Sequence, residues 1–251
     1  MKVSIITITY NSAETIEDTI RSVASQDYPE IEYIIVDGAS NDHTLEIVER
    51  YRNSISQVIS ERDKGIYDAM NKGIAMATGD VIGILNSDDF YADEKVISDI
   101  VRTLQQSNSD ACYADLVYVD RLETNRVIRS WKSGEYKPGY FLRGWMPPHP
   151  TFFVKRKMYL THGVYSLDLR SAADYELMLR FIHKHSVSLC YLPRVITKMR
   201  TGGQSNVSLK NRWRANREDR LAWKMNGLQP GLFTLLRKPL SKLFQYLPGK
   251  K

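Results

Sequence analysis

Asp88 and Asp89 stand side by side just after Val81-Ile82-Gly83-Ile84-Leu85 and the short Asn86-Ser87, where the apolar run has the length of a buried strand. Adjacent carboxylates at a strand end repel each other unless water, a cation or a ligand offsets their charge, and hard divalent cations bound through oxygen are the usual solution. Mg²⁺ and Mn²⁺ take one or two protein carboxylates and fill the remaining positions with water and phosphate oxygens. The pair therefore points to a cation bound together with a phosphorylated substrate, or else to a capped turn with solvated acids. Asp37-Gly38-Ala39-Ser40-Asn41-Asp42 follows a second apolar run. An acid there can accept a hydrogen bond from a nucleobase N–H or a ribose hydroxyl, although Asp, Gly, Ser and Asn are also ordinary turn formers. The stretch Glu61 to Gly73 puts a charged loop before a helical pattern. Its backbone N–H groups, with Lys64 or Lys72, can face an anion; the plainer alternative is a charged surface helix.

Alternating strand and helix patterns must position these groups. Val3 to Ile8 reads as a strand, followed by Asn11 and Glu14 as a helix cap with capping box, then Ile16, Ile20, Val23 and Ala24 at helical spacing. Ile31 to Val36 reads as the second strand, a helix runs from about Asp42 through Tyr51, and Ser56 to Ser60 forms a short third strand. Gly65 to Ala77 carries apolar residues along one helical face before the strand 81 to 85. Such alternation predicts a mainly parallel sheet covered by helices on both faces. Ligands of such sheets lie beyond the carboxyl ends of the strands, which puts Asp37 and Asp88-Asp89 on one rim. The turn after the first strand, Thr9-Tyr10-Asn11-Ser12-Ala13, lacks the glycines of a dinucleotide-binding loop, which disfavours a nicotinamide enzyme. Farther on come a helix around Val96 to Leu104, a strand Ala111 to Val119, an irregular region 125 to 165, a helix from Ala173 to Ile182 and a strand around Ser188 to Leu192.

Composition sets the outer bounds. The 251 residues suit one large domain or a domain with an appendage, and 43% apolar with 25% charged residues marks an ordinary globular chain. The net charge of +6 divides unevenly: residues 201 to 251 hold eleven Lys and Arg against Glu218 and Asp219, while the rest of the chain is mildly acidic. No motif directs that charge to nucleic acid. Cys112 and Cys190 have no metal-ligand spacing and read as reduced core residues of a cytoplasmic protein. The amino terminus is too polar for a secretory signal, and no segment offers the ~20 apolar residues of a membrane span.

Taken together, Thr9-Tyr10-Asn11, Asp37 to Thr44, Glu61 to Gly73 and Asn86-Ser87-Asp88-Asp89 resemble the nucleotide-sugar half of family 2 glycosyltransferases of the GT-A fold, of the non-processive bacterial glycan-biosynthesis type. The resemblance continues through His149-Pro150-Thr151-Phe152-Phe153, Ala173-Asp174-Tyr175-Glu176 and Thr201-Gly202-Gly203-Gln204-Ser205. It implies an α/β domain over residues 1–205, with a Rossmann-like nucleotide-sugar half (1–95) and an acceptor half (96–205), followed by a basic amphipathic extension (206–251). It further implies that Thr9 and Asp37 hold the base with Tyr10 and Glu14 nearby. Asp63 and Lys64 would frame base and sugar, Asp88 the ribose or donor sugar, and Asp89 the Mn²⁺ or Mg²⁺ that bridges the donor phosphates. Asp174 matches the base of an inverting transfer, and equally suits the first turn of a helix. His149, Arg200, Gly202, Gly203 and Ser205 are candidates for acceptor or phosphate contact. Many relatives have an acid where this chain has Asn86 and Ala173, which leaves metal affinity and acceptor class open. Leu209-Lys210-Asn211-Arg212-Trp213 lacks the Gln of the Gln-x-x-Arg-Trp motif of processive synthases, so single-sugar transfer is the better reading.

The expected partners are a UDP- or GDP-linked sugar and a glycan or lipid-linked glycan acceptor, in surface polysaccharide biosynthesis. From Leu232 to Leu247 the tail interleaves apolar residues with Arg237, Lys238 and Lys242. That pattern either docks on an anionic membrane, placing the protein peripherally on the inner face of the cell membrane, or packs on the domain or forms a homodimer. Two rival functions are a sugar nucleotidyltransferase, which would normally show a Gly-rich basic loop after the first strand, and an inactive membrane-associated scaffold, which should have lost Asp89 or Asp174.

Overall fold

Strand β1 (Val3–Thr9) is buried along its whole length, and its β-branched residues face opposite sides of the sheet in turn. Ile6 and Ile8 enter one core with Ile34, Val36 and Ile82. Val3 and Ile5 enter a second core with Tyr33, Ile35, Val81 and Leu85. The computed structural model describes residues 1–202, 209–231 and 234, the side chains of 209–216 excepted.

The first half is wound as the alternating pattern requires. β1 lies between β2 (Ile31–Asp37) and β4 (Val81–Asn86), with β3 (Gln57–Ser60) outside β2, all parallel. Helices α1 (Ile16–Ala24) and α2 (Thr44–Arg50) cover one face, and α3 (Ile66–Met76) crosses to the other on its way to β4. Winding thus reverses between β1 and β4, which opens a crevice at the carboxyl ends of those strands. Close contact of α3 with the sheet depends on Gly73, where a Cβ would stand 2.4 Å from Ile6 Cγ2.

The second half extends the sheet with mixed strand directions. β8 (Phe153–Lys155) runs antiparallel to both β4 and β6 (Ala111–Val119), while β9 (Leu189–Arg200) runs parallel to β6 and antiparallel to β5 (Asp89–Tyr91). β7 (Val127–Trp131) pairs with the end of β6. Helices α4 (Val96–Ser107), α5 (Arg156–His162), α6 (Ala173–Met178) and α7 (Leu209–Met225) complete the layers. Cys112 and Cys190, distant in sequence, are register partners across β6 and β9, and both thiols are free.

Several local expectations change. α1 begins behind Thr15 without a side-chain cap. Asn11 instead adopts a positive φ of 49°, and its side-chain carbonyl accepts from the Asn41 N–H at 2.9 Å. That bond links the β1–α1 and β2–α2 loops and leaves Asn11 no cap to make. The 125 to 165 region contains β7, β8 and α5. The helix from Ala173 widens into a π-helical stretch, Leu179–Lys184. β9 runs eight residues past the expected strand end at Leu192, because β5 and β6 supply partners on both its edges. α7 is built into the core through Ala222 and Trp223, whose indole N–H donates to Tyr175 Oη at 2.8 Å. Apart from Gly231 and Thr234, the amphipathic stretch from 231 to 247 lies outside the described residues.

At the rim opposite the crevice, the buried Glu32 carboxylate accepts from Ser4 Oγ (2.6 Å), Thr78 Oγ1 (2.6 Å), Thr78 N (2.8 Å) and Lys2 Nζ (2.9 Å). Burial pushes this carboxyl up, but the four donors hold it at about 2, against an ordinary 4.5. A depressed carboxylate contributes stability above its unfolded pKa and loses it as pH falls through the folded value. Glu32→Gln is therefore expected to cost about 2 kcal/mol near neutrality, and little near pH 2. Urea unfolding of both proteins across the acid range measures the difference.

Candidate active site

The loop that turns β4 into β5 is fixed from beneath by its own carbonyls. Thr19 Oγ1, on α1, donates to Ser87 O (3.0 Å) and Asp89 O (2.7 Å), and Arg200 Nη1 donates to Asp88 O (3.0 Å). Arg200 is 4% exposed. Its guanidinium also pairs with Asp18, donates to Arg121 O at 3.3 Å and lies 4.8 Å from the Phe90 ring centre. Such a side chain is a buried clamp, so the expected phosphate contact by Arg200 is corrected: its donors are directed into the protein.

Clamping the loop separates the two acids. Asp89, at the start of β5, is 0% exposed, whereas Asp88 is half-buried. Burial raises both carboxyls, Asp89 well above its ordinary value, and the neighbouring Asp88 charge adds to the rise at Asp89. Arg200, Arg121 and His149 oppose the rise at Asp88. Asn86 Nδ2 donates to Asp89 Oδ2 at 3.2 Å, a bond that an acid at position 86 could not make. Asn86 thus places a hydrogen-bond donor, not a further negative charge, beside Asp89.

Asn86 Oδ1 and Asp89 Oδ1 are buried without a hydrogen-bond partner. With Asp88 they are oxygens of the hard type that Mg²⁺ or Mn²⁺ prefers. Among the described residues no three His, Cys, Asp or Glu side chains converge on one point. A cation here would accordingly take the rest of its ligands from water and the donor.

Three loops meet beside this pair. Asp37 is buried, with Ser40 N (3.0 Å), Ser40 Oγ and Ser60 Oγ (2.6 Å) donating to its carboxylate. A carboxylate has about four acceptor sites, so these three bonds leave capacity for one further donor. Gly38 follows, where a Cβ would sit 2.6 Å from Asp63 Oδ2 and 3.4 Å from the Tyr10 ring. Glycine is what lets the ends of β1 and β2 close against the 61–65 loop. Thr9 Oγ1 is buried and unpartnered, and Tyr10 is 55% exposed. Asp63 Oδ1 accepts from Gly65 N at 2.8 Å at the start of α3, and the exposed Lys64 sits in the same turn. Lys72 is taken by Glu61 at 2.8 Å. Glu14 is exposed and pairs with Arg121 at 2.9 Å.

Asp174 approaches from the second half, in the first turn of α6. Its Oδ1 accepts from Tyr67 Oη at 3.3 Å, and its Oδ2 lies 3.4 Å from His149 Nδ1. Tyr67 belongs to α3, so the helix that follows the Asp63 loop also reaches Asp174. Burial, then the Asp174 charge, raises the Tyr67 phenol far above its ordinary value and keeps it a donor. Tyr67 stacks on Tyr165 at 5.6 Å, and Asn71 exchanges two hydrogen bonds of 2.9 Å with the Tyr165 backbone. Ala173 is fully buried, which leaves no room for an acid before Asp174. Gly202 is exposed with φ 93°, and Gly203 and Ser205 lie outside the described residues. Tyr67, Thr19 and Asp18 escaped the sequence reading because each looks like an ordinary helix residue.

The chain matches the model of glycosyl transferase family 2 over residues 4–165. An uncharacterized glycosyltransferase of Mycobacterium tuberculosis is 33% identical over 186 residues, covering 71% of this chain and 68% of that protein. In fold, the chain is similar to Staphylococcus aureus TarS 1-349 in complex with UDP-GlcNAc, with TM-score 0.71 and 21% identity over 88% of this chain and 66% of that one. It is also similar to the mannosyltransferase PcManGT of Pyrobaculum calidifontis in complex with GDP-Man and Mn²⁺, with TM-score 0.67 and 20% identity over 98% and 72% of the two chains.

Because Asp88 and Asp89 carry raised carboxyls, protons and cations compete for them. Without a cation, their contribution to stability is present at acid pH and lost as pH rises through the raised values. Mn²⁺ is thus expected to raise the unfolding temperature more at pH 8 than at pH 5. Asp88→Asn should abolish that shift and stabilise the cation-free protein by on the order of 1 kcal/mol at pH 8. Calorimetry with and without Mn²⁺ checks both effects.

Proposed function

The chain belongs to glycosyl transferase family 2, and from that premise we propose that it moves one sugar, with inversion, from a nucleoside-diphosphate sugar to a glycan acceptor. The observation that carries this reading is the convergence of the donor loops at the β1/β4 crevice with Asp174, which Tyr67 and His149 hold from two sides. Solved structures of similar fold hold UDP-GlcNAc, UDP and GDP-Man, which supports a UDP- or GDP-linked donor. A lipid-linked acceptor in surface polysaccharide biosynthesis, used at the cytoplasmic face of the membrane, completes the proposal.

On this reading Asp37, with its remaining acceptor capacity, and Thr9 Oγ1 take the polar edge of the base. Tyr10 offers its exposed ring, and Asp63 and Lys64 border the ribose and sugar. Asp88 faces the donor and is the carboxylate that can meet a cation at the surface. Asp89 stands behind it, wholly buried, with Oδ1 free of any hydrogen-bond partner. Asn86 and Asp89 would supply the remaining protein oxygens. When bound, Mn²⁺ or Mg²⁺ supplies Lewis-acid stabilisation of the charge that develops on the leaving diphosphate. Asp174 accepts the proton of the attacking acceptor hydroxyl. The Tyr67 hydroxyl donates to one carboxylate oxygen and so orients the other toward the acceptor side, where His149 stands.

Incubation with UDP- and GDP-sugars, Mn²⁺ and membrane lipid extract should release nucleoside diphosphate. Asp174→Asn is expected to lower the transfer rate by roughly 10²- to 10⁴-fold with donor affinity unchanged. A variant that binds donor and transfers at the full rate would remove Asp174 from the mechanism.

A further inference from the structure

We propose that the outward face of α7 is a docking surface for an anionic lipid bilayer. Arg217, Arg220, Leu221, Lys224 and Met225 recur at helical spacing and are all exposed. Leu221 and Met225 are each 39% exposed, so the cations stand among apolar groups. The two acids of the helix are used elsewhere. Glu218 accepts from the backbone N–H groups of Arg170 (3.2 Å) and Ser171 (2.8 Å), and Asp219 is buried. The opposite side of α7 is occupied by Ala222, Trp223 and Asn226, whose side-chain amide donates to the buried Glu176 at 2.9 Å. The helix therefore cannot roll its charged face inward without breaking these bonds.

Sequence alone continues the pattern on both sides. Lys210, Arg212 and Arg214 precede the face, and no acid follows Asp219 to the last residue. Past α7, Thr234 Oγ1 donates to Leu142 O at 2.6 Å, which ties the chain to the segment leading to His149. A face with three cations, two apolar groups and no acid complements lipid phosphates backed by hydrocarbon. Nucleic acid would use the cations but leave Leu221 and Met225 without a role. This inference stands on α7 and does not depend on the transfer reaction.

Flotation of the full chain with phosphatidylcholine vesicles, with and without about 30 mol % phosphatidylglycerol, tests it. Binding is expected only with the anionic vesicles and should fall at high salt. The triple variant Arg217→Glu, Arg220→Glu, Lys224→Glu should bind on the order of tenfold or more weakly. The milder Arg217→Gln, Arg220→Gln, Lys224→Gln should fall between, and an unchanged unfolding temperature confirms its fold. Equal flotation of wild type and the glutamine variant would overturn the proposal. So would wild type that fails to float, or that binds duplex DNA but not vesicles.

Discussion

The donor rim depends on one buried guanidinium. Arg200, at the last position of β9, reaches back to the carbonyl of Asp88, the carboxylate of Asp18 and the carbonyl of Arg121. Burying a charge is costly unless it is paired and hydrogen-bonded, and each partner here belongs to a different element. The ion pair joins α1 to the end of β9, so the loop carrying Asp88 can take one position only when both halves of the sheet are assembled. Packing and site geometry are therefore the same event.

That clamp also makes the electrostatics tolerable. Two adjacent carboxylates in a desolvated turn disfavour their own ionisation, and the raised carboxyls record the strain. Arg200 from below and Asn86 from the side reduce it without removing it. Asp88, half-buried, is the member of the pair that reaches the crevice side. A pair held in that state carries a stability cost, as functional sites commonly do.

The second half holds Asp174 by a different logic. α7 grips the chain on both sides of it: Glu218 binds the backbone at 170 and 171, and Trp223 bonds Tyr175. The buried Glu176–Arg180 pair, bonded at 2.9 and 3.0 Å, adds a third tie through Asn226. Asp174 thus inherits its position from a helix that sequence reading assigned to an appendage. The outward face of the same helix is left cationic because its acids are spent on this inward task.

Much of the donor half was legible in the chain itself. Period-2 and period-3.6 patterns located β1 to β4 and α1 to α3 within a few residues, and the rule that ligands gather at strand carboxyl ends brought Asp37 and the Asp88-Asp89 pair to one rim. Those features are local, set by each segment's own alternation and turn chemistry. Tertiary structure alone decided that Arg200 is a clamp, that Tyr67 touches Asp174 across 107 positions, that Glu14 pairs with Arg121, and that Asp89 is buried while Asp88 is half-buried. Burial and pairing are properties of where distant elements meet. A sequence pattern states which face a residue is on, and only packing states what stands opposite it.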